Sequence, residues 1–347
     1  MQGNIVTKTV LLTGASGYIA KHIALQLLEA GYHVRGTLRS LSRSAEVTEA
    51  VRPHLSDATD LDNRLRFVAL DLTSDDGWDD AMTGIDVVMH TASPFPLEQP
   101  KNEEDLIRPA VDGALRALRA AHKAGITRVI LTSSTVAISG SQLPPGDSAF
   151  DEKNWTDPTD PEVPAYGRSK TLAEQAAWDF VRTQAPDMKL TVVNPGFVLG
   201  APLDAHFGTS ISVIERLLRA KDPMLPNIGF ATVDVQDVAE MHVRVIDQPE
   251  SYGQRIMTVD RFITFQELAQ AIKMAYPDRK IVTRVAPDFV IRFLGLFDPA
   301  IKSIIPSLGR VDKVDNARAL ATLGRGMRQA HKAAVSSAAY LIDNKLV

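Results

Sequence analysis

The segment KTVLLTGASGYIAKHIALQLLEAG, residues 8–31, decides the fold. Its first six residues are a short apolar run that ends in glycine, as a buried strand does. The following stretch carries Ile19, Ile23, Leu27 and Leu28 at helical spacing and stops at Gly31. Between strand and helix, Gly14 and Gly17 stand in a G-x-x-G-x-x-A turn, with Ala20 small enough for close helix-strand packing. A tight glycine turn at this place turns backbone N–H groups and a helix N-terminus toward one point, which suits a pyrophosphate. Gly14, Ser16, Gly17, Tyr18 and Ile19 are therefore expected to line a dinucleotide.

The same strand-then-helix alternation continues outward. YHVRGTL (32–38), LRFVALD (65–71), DVVMHTA (86–92), RVILTSS (128–134) and KLTVVNP (189–195) read as strands, and helices are expected to end near Gly125 and to run from about 165 to 184. Apolar strands alternating with helices predict an α/β fold, a Rossmann-type doubly wound parallel sheet covered on both faces. After Gly196 the alternation fades into segments rich in proline and glycine, with a helix expected near 209–220, before ATVDVQDVAEMHVRVIDQP returns to strand and helix. The expected division is a nucleotide-binding domain of 1–195 and 232–260 and a smaller, mainly C-terminal substrate subdomain of 196–231 and 261–347.

The second strand ends in GTLRSLSR, residues 36–43. An acidic side chain there would bind the ribose hydroxyls of NAD and repel a 2′-phosphate. Arg39 and Arg43 stand in its place, and a guanidinium fork suits a phosphate. The expected cofactor is NADP(H), the alternative being an ordinary solvated basic face made with Arg35. Asp71 and Leu72, at the end of the third strand, are candidate adenine contacts, although an acidic residue also commonly starts the next helix.

Composition narrows the remaining choices. Among 347 residues there is no cysteine, which excludes disulfides and thiolate chemistry, and the eight histidines are scattered without an HExxH motif, so no metal site is expected. A net charge of −4 gives no general attraction for nucleic acid or an anionic membrane. The first strand begins within about eight residues and no apolar run approaches the roughly 18 residues of a membrane span, so a soluble, cytoplasmic protein is expected. The long helices at 102–124 and 165–184 either cover the sheet or pair between subunits, leaving monomer and homodimer open.

PAYGRSK, residues 164–170, places Tyr166 and Lys170 one turn apart on a helix, so phenol and ammonium share a face. An ammonium favours the phenolate, and lowering the phenol by three units corresponds to roughly 4 kcal/mol of differential interaction. A second Tyr-x-x-x-Lys pair, Tyr276 and Lys280 in YPDRK, has Pro277 directly after the tyrosine and is not expected to lie within one helix. Ser134, at the carboxyl end of the fifth strand, is placed to polarise a substrate carbonyl beside Tyr166; Ser133 is the alternative donor.

Together these motifs resemble the extended short-chain dehydrogenase/reductases. GYHVRGTLRS, HTASPF, ILTSS, AYGRSKTLAEQAAW, NPGFVLG and VDVQDVAEMHV resemble the branch of dihydroflavonol reductases, cinnamoyl-CoA reductases and yeast-type methylglyoxal/isovaleraldehyde reductases. The resemblance implies a catalytic set of Ser134, Tyr166 and Lys170, with Tyr166 as proton donor and Lys170 on the nicotinamide ribose. It further implies that Thr91, Ala92 and Ser93 line the cofactor, that Pro195 and Val198 fix the carboxamide, and that Ser210 adds a contact. Phe95, Phe197 and the loop 201–208 would border the substrate. The NWYCYGK signature of cinnamoyl-CoA reductases is absent, which argues against thioester reduction. The expected activity is NADPH-dependent reduction of an aldehyde or ketone to an alcohol. The competing readings are a nucleotide-sugar epimerase or dehydratase on the same fold and a non-catalytic NADPH sensor.

Overall fold

The computed structural model describes residues 7–93 and 102–347, apart from the side chains of 299 and 300. Its strands are β1 (Thr9–Thr13), β2 (His33–Leu38), β3 (Leu65–Ala69), β4 (Val87–His90), β5 (Arg128–Thr132), β6 (Lys189–Pro195), β7 (Phe197–Leu199), β8 (Gly229–Asp234), β9 (Gln254–Thr258) and β10 (Arg261–Thr264). The helices are α1 (Tyr18–Glu29), α2 (Ser44–Val51), α3 (Leu61–Arg64), α4 (Trp78–Met82), α5 (Glu104–Lys123), α6 (Val136–Ser139) and α7 (Ala165–Gln184). The second half adds α8 (Thr209–Leu218), α9 (Val235–Arg244), α10 (Phe265–Ala275), α11 (Asp288–Leu294), α12 (Pro299–Ile304), α13 (Ala317–Leu323) and α14 (Ala330–Asp343).

Seven strands form one sheet in the order β3-β2-β1-β4-β5-β6-β9, and every pairing in it is parallel. The strands at its centre are buried along almost their whole length, which is why they read as continuous apolar runs rather than alternating ones. Val10 pairs with Val34 on one side and Val87 on the other, so the chain's direction of winding reverses at β1. A crevice opens beyond the carboxyl ends of β1 and β4 at such a point, and the Gly14 turn and residues 91–93 form its lip.

A second, three-stranded sheet, β10-β8-β7, packs with α8, α10 and α14 around a core of Leu199, Ile214, Val233, Leu268 and Ala334. The expected domain break at 231/232 falls inside β8, so residues 232–234 stay with the small sheet. β8 runs straight into α9, whose first turn is capped by the Asp234 side chain accepting from Gln236 N–H at 2.8 Å. The chain then rejoins the large sheet through β9 and does so once more through α13, whose Ala319 and Leu323 pack into the core beneath β1 and β4. That last return is closed by Gly324, which ends α13 in the left-handed conformation.

On one face of the large sheet α5 and α7 pack side by side, and Ala110, Ala114 and Ala173 let them approach closely. Among the described residues no helix is long and apolar enough to cross a membrane.

Candidate active site

The glycine turn is shaped by contact as well as by conformation. Gly14 has φ +67°, and a Cβ there would lie 2.9 Å from the Cβ of Ala92. The turn is closed by Gly17 N–H donating to Gly14 O at 2.9 Å and tied to β2 by Gly14 N–H donating to Thr37 Oγ1 at 3.1 Å. Thr13 Oγ1 accepts from the N–H groups of Thr91 and Ala92, both at 3.1 Å, and is hydrogen-bonded to His90 Nδ1, which locks the ends of β1 and β4 together. Gly17 caps α1 with no side chain over the helix end, and the first turn holds no acidic residue. Backbone N–H groups at a bare helix N-terminus, beside a turn that has no room for a side chain, fit the pyrophosphate of a dinucleotide.

Around that turn, the predicted contacts divide by side chain and backbone. Ser16 and Ile19 are half-buried, whereas the Tyr18 phenol turns away and donates to Gly200 O at 2.9 Å. Only the backbone of Tyr18 is left for a ligand at the turn. Thr91 Oγ1 donates to Thr13 O, so its hydroxyl holds the strand end. Ala92 packs on Gly14, Ser93 follows it into the crevice, and Phe95 lies outside the described residues.

The two arginines of the 2′-phosphate reading stand in different states. Arg39 is exposed and has no ion pair among the described residues. Arg43, at the end of the single 3-10 turn that leads into α2, is gripped by Glu46 through Nε at 2.8 Å and Nη2 at 2.9 Å. Glu46 also accepts from Lys21 Nζ at 2.7 Å, and Lys21, fully buried on α1, donates to Asp204 as well. These cations hold the Glu46 carboxyl down at about 2 against the opposing effect of burial. Asp71 is exposed, and its carboxylate accepts from Thr73 N–H and Oγ1 at 2.8 and 2.7 Å, which makes it the start of a turn. Leu72 O accepts from Arg116 Nη1 at 2.9 Å.

At the carboxyl end of β5 the backbone is stitched to β6: Ser133 N–H donates to Val193 O at 2.8 Å and Thr135 N–H to Pro195 O at 2.9 Å. This fixes Ser134 against the start of α7, where its hydroxyl is hydrogen-bonded to the Tyr166 phenol. Ser133 Oγ has no protein partner and faces a cavity of about 20 Å3, the size of one water molecule, that Lys170, Glu174 and His90 also line. Between the two serines, the geometry therefore pairs Ser134 with the tyrosine. Pro164 lets α7 begin at Ala165, so Tyr166 and Lys170 sit in its first two turns, with Lys170 Nζ 5.9 Å from the Tyr166 ring centre.

Electrostatics correct one expectation. Burial pushes the Tyr166 phenol up, opposed by the Ser134 hydrogen bond, and burial pushes Lys170 down to about 8, opposed by the charge of Glu174. The expected pull of the ammonium on the phenol is outweighed because both groups lose water at once, and desolvation drives both toward their neutral forms.

The sequence reading missed what lies behind this pair. Glu174, one turn beyond Lys170, is wholly buried; Asn194 Nδ2 donates to it at 2.7 Å and to Ser134 O at 3.2 Å. Arg255 on β9 pairs with the same carboxylate, stacks over the Trp155 ring at 3.7 Å and donates to the carbonyls of Glu152, Asn154 and Ala137. An acidic residue on the sheet-facing side of an amphipathic helix was the available signal for Glu174; nothing local marks Arg255 as its partner.

On the far side of the crevice, Pro195 ends β6 and Val198 is buried in β7. Ser210 Oγ donates to Val198 O, which ties the first turn of α8 to β7. Phe197 is stacked on Phe230 with ring centres 4.4 Å apart. Tyr276 caps the end of α10, so the second Tyr-x-x-x-Lys pair does not share a helix.

A family model described as the NAD dependent epimerase/dehydratase family matches residues 10–259. A ketoreductase of Aspergillus niger is 32% identical over 303 residues, covering 82% of this chain and 87% of the relative. A putative NADPH-dependent methylglyoxal reductase of Candida albicans is 31% identical over 286 residues, covering 78% and 83%. The crystal structure of yeast methylglyoxal/isovaleraldehyde reductase complexed with NADPH superposes with a TM-score of 0.80 at 26% identity, covering 98% of this chain and all of that one.

Proposed function

Because the chain belongs to the NAD dependent epimerase/dehydratase family, and carries a serine, tyrosine and lysine at the carboxyl edge of its sheet, we propose that it is an NADPH-dependent carbonyl reductase, converting an aldehyde or ketone to the alcohol with Tyr166 as proton donor. The observation that carries the reading is the Ser134–Tyr166 hydrogen bond, held at the carboxyl end of β5 with Lys170 one helical turn away. The relatives named as a ketoreductase and as NADPH-dependent reductases support the same chemistry.

Gly14, Gly17 and the first N–H groups of α1 would hold the pyrophosphate, Arg39 and Arg43 the 2′-phosphate, and Lys170 the nicotinamide ribose. When bound, the reduced nicotinamide supplies a hydride. The chain's own residues handle the charge and the proton. Ser134 and Tyr166 donate hydrogen bonds to the substrate carbonyl oxygen, so negative charge growing there meets two donors already in place. Tyr166 then gives its proton to that oxygen, and the raised pKa of the phenol keeps the proton on the tyrosine until it is needed. Lys170, positively charged at neutral pH, stabilises the phenolate left behind.

An epimerase reading is disfavoured by Arg39, an unpaired cation where NAD binding calls for an acid. Consumption of NADPH by the purified protein over small aldehydes, diketones, aryl ketones and ketoesters tests the proposal. Turnover with at least one class, lost on Tyr166→Phe, is the expected result; no turnover with any of them contradicts it.

A further inference from the structure

The buried carboxylate of Glu174 has no place in the reaction just described, yet it is held from two sides, by Asn194 of β6 and Arg255 of β9. It sits on α7 one turn past Lys170, accepts from Asn194, which also holds the Ser134 backbone, and is paired from β9 by Arg255. Lys170 and Glu174 line the same small cavity from one helix face. The remaining walls of that cavity are almost free of charge. β4 contributes His90, β5 and its exit contribute Leu131, Thr132 and Ser133, and α5 contributes Ala110 and Ala114. His90 is neutral at ordinary pH, its pKa pressed to about 3 by burial and by the charge of Lys170. Tyr166, on Lys170's own helix, is a neutral phenol held by Ser134. Arg255, the one further cation in contact with this cluster, has its charge matched to Glu174.

Among the described residues lining the cavity, Glu174 is thus the single anion facing Lys170. A lysine this deeply buried loses its proton unless an opposite charge holds it. We propose that Glu174 is a positioning residue for Lys170, keeping its ammonium charged beside Tyr166 and, through Asn194, keeping Ser134 in register with both. The direction of the Lys170 shift agrees: burial lowers it to about 8 and Glu174 opposes the fall. Arg255 and Asn194 fix the carboxylate in place, on the same helix face as the lysine one turn before it. The inference deepens the reductase reading and rests on it for its catalytic meaning.

Two readouts separate the inference from that reading. In cofactor-free protein, the lysine side-chain carbons of isotopically labelled enzyme are titrated by NMR, with Lys170 assigned by its loss in Lys170→Arg. Wild type is expected to titrate near 8, Glu174→Asp lower, and Glu174→Gln lowest, by about one pH unit or more. In turnover, the alkaline limb of the rate should move down by the same amount, so that a one-unit fall costs Glu174→Gln about fivefold in kcat at pH 8 and less than twofold at pH 6. A purely structural role would lower the rate equally at all pH values and leave both titrations where they were, which overturns the proposal. Should the glutamine variant fail to fold, the aspartate variant decides alone: a lowered Lys170 titration supports the inference and an unmoved one sinks it. Absence of any carbonyl turnover by wild type would sink the reductase reading, with the NMR titration still judging Glu174.

Discussion

Arg43 and Glu46, three residues apart where a 3-10 turn enters α2, form a two-pronged ion pair at the edge of the nucleotide crevice. The guanidinium best placed to join Arg39 on a 2′-phosphate is already matched by a carboxylate, which Lys21 shares. A phosphate binding there competes with Glu46 for Arg43. Glu46→Gln should tighten NADPH severalfold, since a partly exposed pair is worth about 1 kcal/mol or less, and leave NADH unchanged. Arg39→Ala should weaken NADPH more than Arg43→Ala, because among the described residues Arg39 forms no ion pair, whereas Arg43 is gripped by Glu46. Cofactor dissociation constants measured by fluorescence check the order; equal losses for NADH would refute the phosphate assignment.

Removing the phenol hydroxyl removes the proposed proton donor while leaving the ring in place. Tyr166→Phe should cost 10² to 10⁴ in kcat, with NADPH affinity kept within a few fold. Ser134→Ala removes one of two donors to the developing oxyanion and should cost about 10² to 10³. Ser133→Ala, whose hydroxyl faces the cavity instead, should cost less than about tenfold. Steady-state rates for the three variants test the assignment, and a reversed order of the two serines would exchange their roles.

Gly14→Ala adds a methyl group where the backbone is left-handed and Ala92 stands 2.9 Å away. The strain should lower stability by about 1 to 3 kcal/mol and pull the ends of β1 and β4 apart. NADPH binding should fall by more than tenfold. Urea unfolding of the free protein and cofactor titration measure the two effects separately; an alanine variant of wild-type stability would mean the turn has room it does not show.

Three buried histidines make the fold sensitive to mild acid. Burial holds His90 near 3 and both His22 and His242 near 4, so they stay neutral in the folded protein. The unfolded chain takes up protons at these positions once the pH falls below about 6.5, which favours unfolding down to the folded-state values. Their neutral state therefore costs nothing above that pH, and stability is lost from there down toward pH 4. By pH 5 each contributes a loss of about 2 kcal/mol. Urea midpoints at pH 7 and pH 5 should differ markedly; equal midpoints would show that the three are not neutral in the fold.

The large sheet was legible because its strands are buried on both faces and its helices carry one apolar stripe each. The six strands β1 to β6 and the long helices α1, α5 and α7 follow from that pattern, the bounds of α7 agreeing to the residue, whereas the short helices α2, α3, α4 and α6 were not read. The placement of the candidate residues that lie in short-range motifs, Gly14 and Gly17 in the turn after β1 and Tyr166 and Lys170 in the first turns of α7, was readable because a spacing of three or four fixes their relative geometry. What escaped notice acts across long separations. Glu174 meets Arg255 81 residues later and Lys21 meets Asp204 183 residues later, and a single sequence carries no local trace of either pairing. The hydroxyls of Ser210 and Thr91 likewise each donate to a backbone carbonyl that only the folded chain brings near.

The late pairing of Arg255 bears on how the protein is made. Ser134, Tyr166, Lys170 and Glu174 are all synthesised before β9, and until that strand docks the buried carboxylate has no guanidinium and the loop from Glu152 to Asn154 has no anchor. At roughly 5–20 residues per second, that interval lasts several seconds on the ribosome. The buried carboxylate thus passes that interval without its guanidinium, and the pair closes only when the last strand of the sheet has been added.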